Sequence, residues 1–205
     1  VPEVTPSPGD GLETILSRRS VRAVHGPGPD DEQLDAILQA ALTVPDHGVL
    51  RPWRLVVVEG EARGAFGDAL AASVREHRPD LDGAVLERVR AKAFAAPVLI
   101  AFGARIDQSS RVPEWEQVAS AACLGYAMVL AAHQLGLGAM WKSIPFTDGD
   151  ALRRVLDLEA PDRFLGWVNI GHVAEGAVET GARPRWDARA VVRRLDDAGR
   201  PRVVV

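Results

Sequence analysis

Cysteine is nearly absent: Cys123 is the single one in 205 residues. No internal disulfide can form, so a reducing compartment, the cytoplasm, is the expected setting. Cys123 lies in the apolar run Ala121-Ala122-Cys123-Leu124-Gly125-Tyr126-Ala127-Met128 and is expected to be a buried small hydrophobe rather than a reactive thiol. No uninterrupted apolar stretch reaches the ~18–20 residues of a membrane span. The opening residues, Val1 to Leu12, are acidic, Pro-rich and polar, unlike a signal peptide. Positive charge is not in excess either. The formal net charge of −4 argues against nonspecific nucleic-acid binding, which needs a basic surface, but leaves room for a local cationic pocket.

Several signatures of chemistry are missing as well. His25, His47, His77, His133 and His172 are dispersed, with no H-x-x-x-H or H-E-x-x-H spacing, and with one cysteine a metal site has little support. There is no Walker-A run and no strand-linked G-x-G-x-x-G. Gly26-Pro27-Gly28 reads as a turn, because proline removes the backbone donors that a phosphate would need. The Asp46-His47 neighbours evoke a hydrolase, but no G-x-S-x-G elbow supplies a nucleophile. No internal repeat and no linker divides the chain. Residues 1–10 read as a flexible lead and 11–205 as one domain.

Apolar residues make up 47% of the chain and charged residues 25%, which is enough for a full core. The periodicity predicts a short helix over 11–19 with Leu12, Ile15 and Leu16 at helical spacing. A second helix begins at Asp30 or Asp31, carries the stripe Leu34, Ile37, Leu38, Ala41 and Leu42, and stops before Pro45. Strands are expected at 54–59, 97–102, 138–143 and 164–170, the last ended by Gly171. Helices are expected at 61–77, 82–93, 114–136 and 149–156. The helix over 114–136 is rich in small residues that permit close packing. Residues 172–205 are Arg-rich and too polar for a core of their own, so they are expected to form an arm that wraps the body or reaches a partner chain. Four strands among six or seven helices, without regular alternation, make an α+β fold.

Four segments can carry chemistry. Arg18-Arg19-Ser20-Val21-Arg22 sets three guanidinium groups and a hydroxyl at a helix end. Guanidinium pairs with phosphate through two parallel hydrogen bonds, so the cluster suits a phosphate. It also suits a simple cap on the helix dipole. Pro45-Asp46-His47-Gly48-Val49-Leu50-Arg51-Pro52-Trp53 is a loop fixed by two prolines and a glycine, in which Asp46, His47 and Arg51 can contact a ligand and Trp53 reads as core. Gly136-Leu-Gly-Ala-Met-Trp-Lys-Ser143 leaves space for close approach of a flat ligand and places Lys142 and Ser143 at a strand end. Glu114 and Glu116 suit a helix N-terminus, or a wall beside a substrate.

In this order and spacing, R-R-S, P-D-H-G-x-x-x-P-W, W-E-Q and G-L-G-A-M-W-K-S resemble the nitroreductase family, especially its compact bacterial members, over about Leu12 to Gly171. The resemblance implies a mostly antiparallel sheet of about four or five strands flanked by helices, and a homodimer with FMN at its interface. It implies NADH or NADPH as donor and nitroaromatics, quinones or similar small acceptors, reduced in a ping-pong cycle. It places Arg18, Arg19 and Ser20 on the FMN phosphate and flavin edge, and Arg22 near flavin N1 and O2. It places His47 on the FMN of the other subunit, and Trp141, Lys142 and Ser143 against the opposite side of the flavin. The stretch Ala131 to Gly136 matches a nicotinamide-binding region. The chain departs from the family pattern at Thr43, Arg51 and Lys142, where Arg, Gln and Arg are usual. Arg183 and Arg185 in the tail are further phosphate candidates without a motif. Rival readings are a specialised flavin reaction on the same fold (dehalogenation or flavin breakdown), a non-catalytic FMN-binding protein, and a helical interaction protein.

Overall fold

A computed structural model describes residues 10–176, 187–197 and 199–203. The helices are α1 (Asp10–Ser17), α2 (Asp31–Ala41), α3 (Ala62–His77), α4 (Gly83–Arg90), α5 (Glu114–Gln134) and α6 (Asp150–Val155). The strands are β1 (Val24–His25), β2 (Arg54–Glu59), β3 (Val98–Ala104), β4 (Gly138–Lys142), β5 (Arg163–Val173), β6 (Arg193–Leu195) and β7 (Pro201–Val203). All pairings are antiparallel. β2 pairs β3, and β3 pairs one edge of β5. The other edge of β5 takes β4 through residues 167–171 and β1 through 172–173. The fold is the expected α+β type.

The sheet separates two cores. On one face, α2 and α5 bury Ile37, Leu124 and Met128 against Ile100, Phe102, Val168 and Ile170. On the other, α3, α4 and α6 bury Phe66, Leu70, Leu86 and Leu152 against Leu99, Ala101 and Trp167. Alternation along β3 and β5 feeds both, because successive side chains leave a strand on opposite faces. Trp167 meets Phe66 edge-on at 5.6 Å and donates its indole N–H to Asn169 Oδ1 at 2.9 Å.

Local chemistry explains α2. Asp30 accepts the Gln33 backbone N–H at 2.8 Å, and the Gln33 side chain accepts the Asp30 N–H at 3.1 Å. This capping box satisfies two donors that the first helical turn leaves unpaired. Asp30→Ala is expected to cost about 1 kcal/mol and lower the melting temperature by roughly 2–4 °C, read by calorimetry.

The structure corrects four expectations. α1 ends at Ser17, so the 18–22 cluster lies wholly beyond the helix. Gly171 does not stop β5, which runs on to Val173 and pairs with Val24 and His25. A Cβ at Gly171 would sit 2.8 Å from the His25 carbonyl, so glycine there serves close approach. Cys123 is exposed rather than buried. It shares the outer face of α5 with Trp115, Ala119 and Tyr126, and Leu12 and Leu16 of α1 are each 62% exposed as well. The tail beyond 186 holds the β6–β7 hairpin, where no strand was expected.

Candidate functional site

The cationic segment reaches the sheet through Val21. Val21 is buried, and its N–H donates to the Ala139 carbonyl at 3.0 Å, which lays residues 18–22 alongside β4. Arg19 Nη1 donates to the carbonyls of Leu16 and Ser17, the last two residues of α1, and of Arg18 just beyond it. The helix-cap reading therefore describes Arg19, whose side chain turns back on its own helix. Arg18 lies 3.4 Å from the Ser20 hydroxyl. Ser17 Oγ meets His133 Nε2 at 2.9 Å, joining the segment to the last turn of α5. Burial, then the charges of Arg18 and Arg19, hold His133 below the usual imidazole range.

Arg22 bears on a second group. Lys142 ends β4 half-buried, and its ammonium is pushed below the ordinary lysine value by burial first, then by Lys92 and Arg22. Two further cations thus act on Lys142, Arg22 of the segment after α1 and Lys92 of the 3-10 turn before β3. None of the three has an ion-pair partner among the described residues. Lysine is otherwise missing from this chain: Lys92 and Lys142 are its two lysines, and the rest of its 24 basic Lys and Arg residues are arginine. Lys92 was not singled out from sequence. It belongs to no local motif, and only the fold relates it to Lys142.

Trp141 fixes the floor beside Lys142. Its ring packs on Phe102 at 5.1 Å and its indole N–H donates to the Leu165 carbonyl at 3.0 Å. Gly125 of α5 permits this, because a Cβ there would come within 2.6 Å of Phe102 and 2.9 Å of Trp141. Ser143 follows, exposed.

His47 stands elsewhere. It lies in a 3-10 turn, 69% exposed, and its Nδ1 is 2.7 Å from Glu116 Oε2 in the first turn of α5. Arg18 and Arg19 lie by His133, at the other end of α5. The separation along that helix is roughly 25 Å at 1.5 Å per residue. One chain therefore lays residues 18–22 along β4, with Arg18 and Arg19 by His133 and Arg22 acting on Lys142, and leaves His47 apart. Glu114 pairs with Arg163 at 2.8 Å, and Trp53 is buried as expected. Arg183 and Arg185 lie outside the described residues. Among the described residues no His, Cys, Asp and Glu group is arranged to hold a metal ion, and no helix is long and apolar enough to cross a membrane.

Comparison with known proteins bears on the family and the fold. A sequence profile of the nitroreductase family matches residues 15–172. The chain is 36% identical over 169 residues to a provisionally named NAD(P)H nitroreductase of Haemophilus influenzae, spanning 82% of this chain and 91% of that protein. It is 33% identical over 162 residues to the similarly named YdjA of Escherichia coli K12, spanning 79% and 87%. Among solved structures, an FMN-dependent nitroreductase, NfnB of Mycobacterium smegmatis in complex with NADPH, superposes with a TM-score of 0.68 at 19% identity, over 89% of this chain and 96% of that one. A nitroreductase-like protein of Bacillus cereus gives 0.69 at 24% identity, over 88% and 94%. The chain belongs to the nitroreductase family.

Proposed function

We propose that this protein is an FMN-dependent NAD(P)H oxidoreductase that reduces nitroaromatics, quinones or similar small acceptors. The observation that carries the reading is the Val21–Ala139 hydrogen bond, which lays the cationic segment 18–22 along β4, the strand that ends at Lys142, where Arg22 and Lys92 add further positive charge without ion-pair partners among the described residues. Charges of one sign repel, and a fold keeps them together when an anionic ligand completes the site. A flavin phosphate and the electron-rich pyrimidine edge of its ring suit that donor set, in which arginine grips in two-bond geometry and lysine acts as a point charge.

Arg18 and Ser20 hold the phosphate, while Arg19 fixes the helix end from which they project. Arg22, Lys92 and Lys142 line the pyrimidine edge and offset negative charge there. Trp141 and Ser143 border the ring from the β4 side. Bound FMN supplies the hydride chemistry, for which these side chains have no equivalent. Residues Ala131 to Gly136 border the nicotinamide. Donor and acceptor use one face in turn, which gives ping-pong kinetics, and residues 11–205 act as one domain.

A homodimer completes the site. The exposed outer stripe of α5 and the apolar face of α1 flank a groove of about 400 Å³ that includes Ile15, Ala127, Leu130 and Ala131. Two copies packed with their α5 helices antiparallel would bring the His47 end of one to the Arg18 end of the other. The C-terminal arm adds further contacts with the partner. Sedimentation is expected to give twice the 22.0 kDa chain mass. Tyr126→Asp is expected to weaken the dimer at least about tenfold, because it introduces an unpaired charge into a desolvated interface.

The deciding experiment is a visible spectrum of the purified protein followed by anaerobic NADH or NADPH. Flavin bands that bleach are the expected result. Bands that persist with both donors favour a binding protein, and no flavin after incubation with excess FMN ends the proposal.

A further inference from the structure

We propose that Glu116 and His47 form a proton-delivering dyad, in which Glu116 is a positioning residue and His47 Nε2 hands a proton to the acceptor. This rests on the oxidoreductase reading and on the dimer that places His47 at the partner's site. The structural observation is independent of both. His47 Nδ1 lies 2.7 Å from a carboxylate oxygen of Glu116. An ionised carboxylate only accepts, so the shared proton resides on Nδ1 whether the imidazole is neutral or charged. Nε2 is then the nitrogen that gains and loses a proton, and it belongs to a ring that is 69% exposed. Glu116 itself is 28% exposed and sits in the first turn of α5, where a helix N-terminus favours a carboxylate.

The loop that carries His47 is built to hold it. Asp46 accepts the Arg51 backbone N–H at 2.7 Å. Gly48, Val49 and Arg51 have φ values of 77°, 55° and 49°. Left-handed backbone at valine and arginine is strained, and such strain persists where the surroundings over-determine the conformation. Asp46 and Arg51 are the other charged residues of its loop, and Glu116 faces the imidazole from α5. Neighbouring Glu114 is occupied by Arg163.

The chemistry balances. Reduction of a quinone takes one hydride equivalent, which NAD(P)H supplies through the cofactor, and one proton. Imidazolium Nε2–H gives that proton to the quinone oxygen, and the hydroquinone leaves. The ring is left as its Nδ1–H tautomer, still bonded to Glu116, and water returns a proton to Nε2. Nitro reduction uses the same pair, with the nitroso product and water released. Neither the tautomer nor the Glu116 bond changes during the cycle, so no reorganisation accompanies the transfer.

The test has an arm that needs no cofactor. Nitrogen NMR of ¹⁵N-histidine-labelled, FMN-free protein reads the His47 tautomer directly, assigned with His47→Gln. Neutral His47 is expected to carry its proton on Nδ1, and Glu116→Gln, whose amide can donate or accept, is expected to mix the tautomers. A proton on Nε2 in the unaltered protein overturns the dyad. In the loaded dimer, oxidation by 1,4-benzoquinone is followed by stopped flow in water and in D₂O. Glu116→Gln is expected to slow this half-reaction about tenfold to a hundredfold relative to reduction by NAD(P)H and to alter its solvent isotope effect, with partial rescue in Glu116→Asp. An unchanged ratio and isotope effect in Glu116→Gln, in a protein that still bleaches with NAD(P)H, refute the dyad alone. Failure to take up FMN refutes the oxidoreductase reading and the donor role with it, whatever tautomer the NMR shows.

Discussion

Gly166→Ala is expected to cost at least about 3 kcal/mol of stability and to abolish FMN retention. Gly166 has φ of 122°, a region almost closed to residues with a Cβ. An added Cβ would overlap the Lys142 carbonyl oxygen and lie 2.8 Å from Trp141 Nε1. The first obstacle is backbone and cannot rotate away. Relief requires β4 to part from β5 at the Lys142–Trp167 pairing, where the sheet also jogs by one register between Phe102 and Gly103. That would move Lys142 and loosen Trp141 from the Leu165 carbonyl in one step. A domain of this size has only about 5–15 kcal/mol in total, so the loss is a large share. Gly64→Ala is the control. Gly64 lies inside α3 with nothing within 4 Å of an added Cβ and no positive φ. Alanine there is expected to stabilise by about 0.5–1 kcal/mol, through higher helix propensity and a less free unfolded chain. Guanidinium unfolding curves of the two variants should shift in opposite directions. Equal shifts would refute the steric account.

What was readable in the sequence follows from the range of the forces. The stripe of α2, the apolar runs of β2 and β3 and the small residues of α5 are local patterns, and each element formed near its expected bounds. β1 escaped because two residues have no period, and its pairing with Val173 and His172 is set some 150 residues away in sequence. Cys123 was misplaced for a related reason. α5 is apolar on both faces, and an apolar pattern does not say whether the covering surface belongs to the same chain. In the structure one face packs on the sheet and the other, with Trp115 at 70% exposure, is bare. The site divides likewise. Arg18, Arg19, Ser20 and Arg22 were visible as a local cluster. Lys92 belongs to no motif, and joins the site only because the turn before β3 approaches the end of β4. That Glu116 faces His47, 69 residues distant, could be learned only from the fold.

Lys142→Met is expected to raise the stability of the FMN-free protein while weakening FMN binding roughly tenfold to a hundredfold, the amount associated with one charge-assisted contact. The two effects have one cause. Burial, Lys92 and Arg22 all disfavour the charged ammonium. Its folded-state pKa is therefore lower than its unfolded one, and the unfolded chain binds the proton more tightly. Stability must then increase as pH rises through the folded value toward the ordinary 10.5, and the penalty is fully present at neutral pH. Methionine keeps the length and apolar body of the side chain and removes the charge, so the neutral-pH penalty disappears and the alkaline rise flattens. Lys142 is still partly solvated, which limits the gain to about 1 kcal/mol or less. FMN reverses the sign. Its negative charge compensates the three cations, so loaded wild type should exceed the loaded variant in melting temperature although the unloaded proteins rank the other way. Equilibrium unfolding with and without FMN, at neutral and alkaline pH, measures all four quantities. Destabilisation by Lys142→Met in both states would mean that the lysine serves packing. Stabilisation in both would mean that the converged charges do not meet the cofactor.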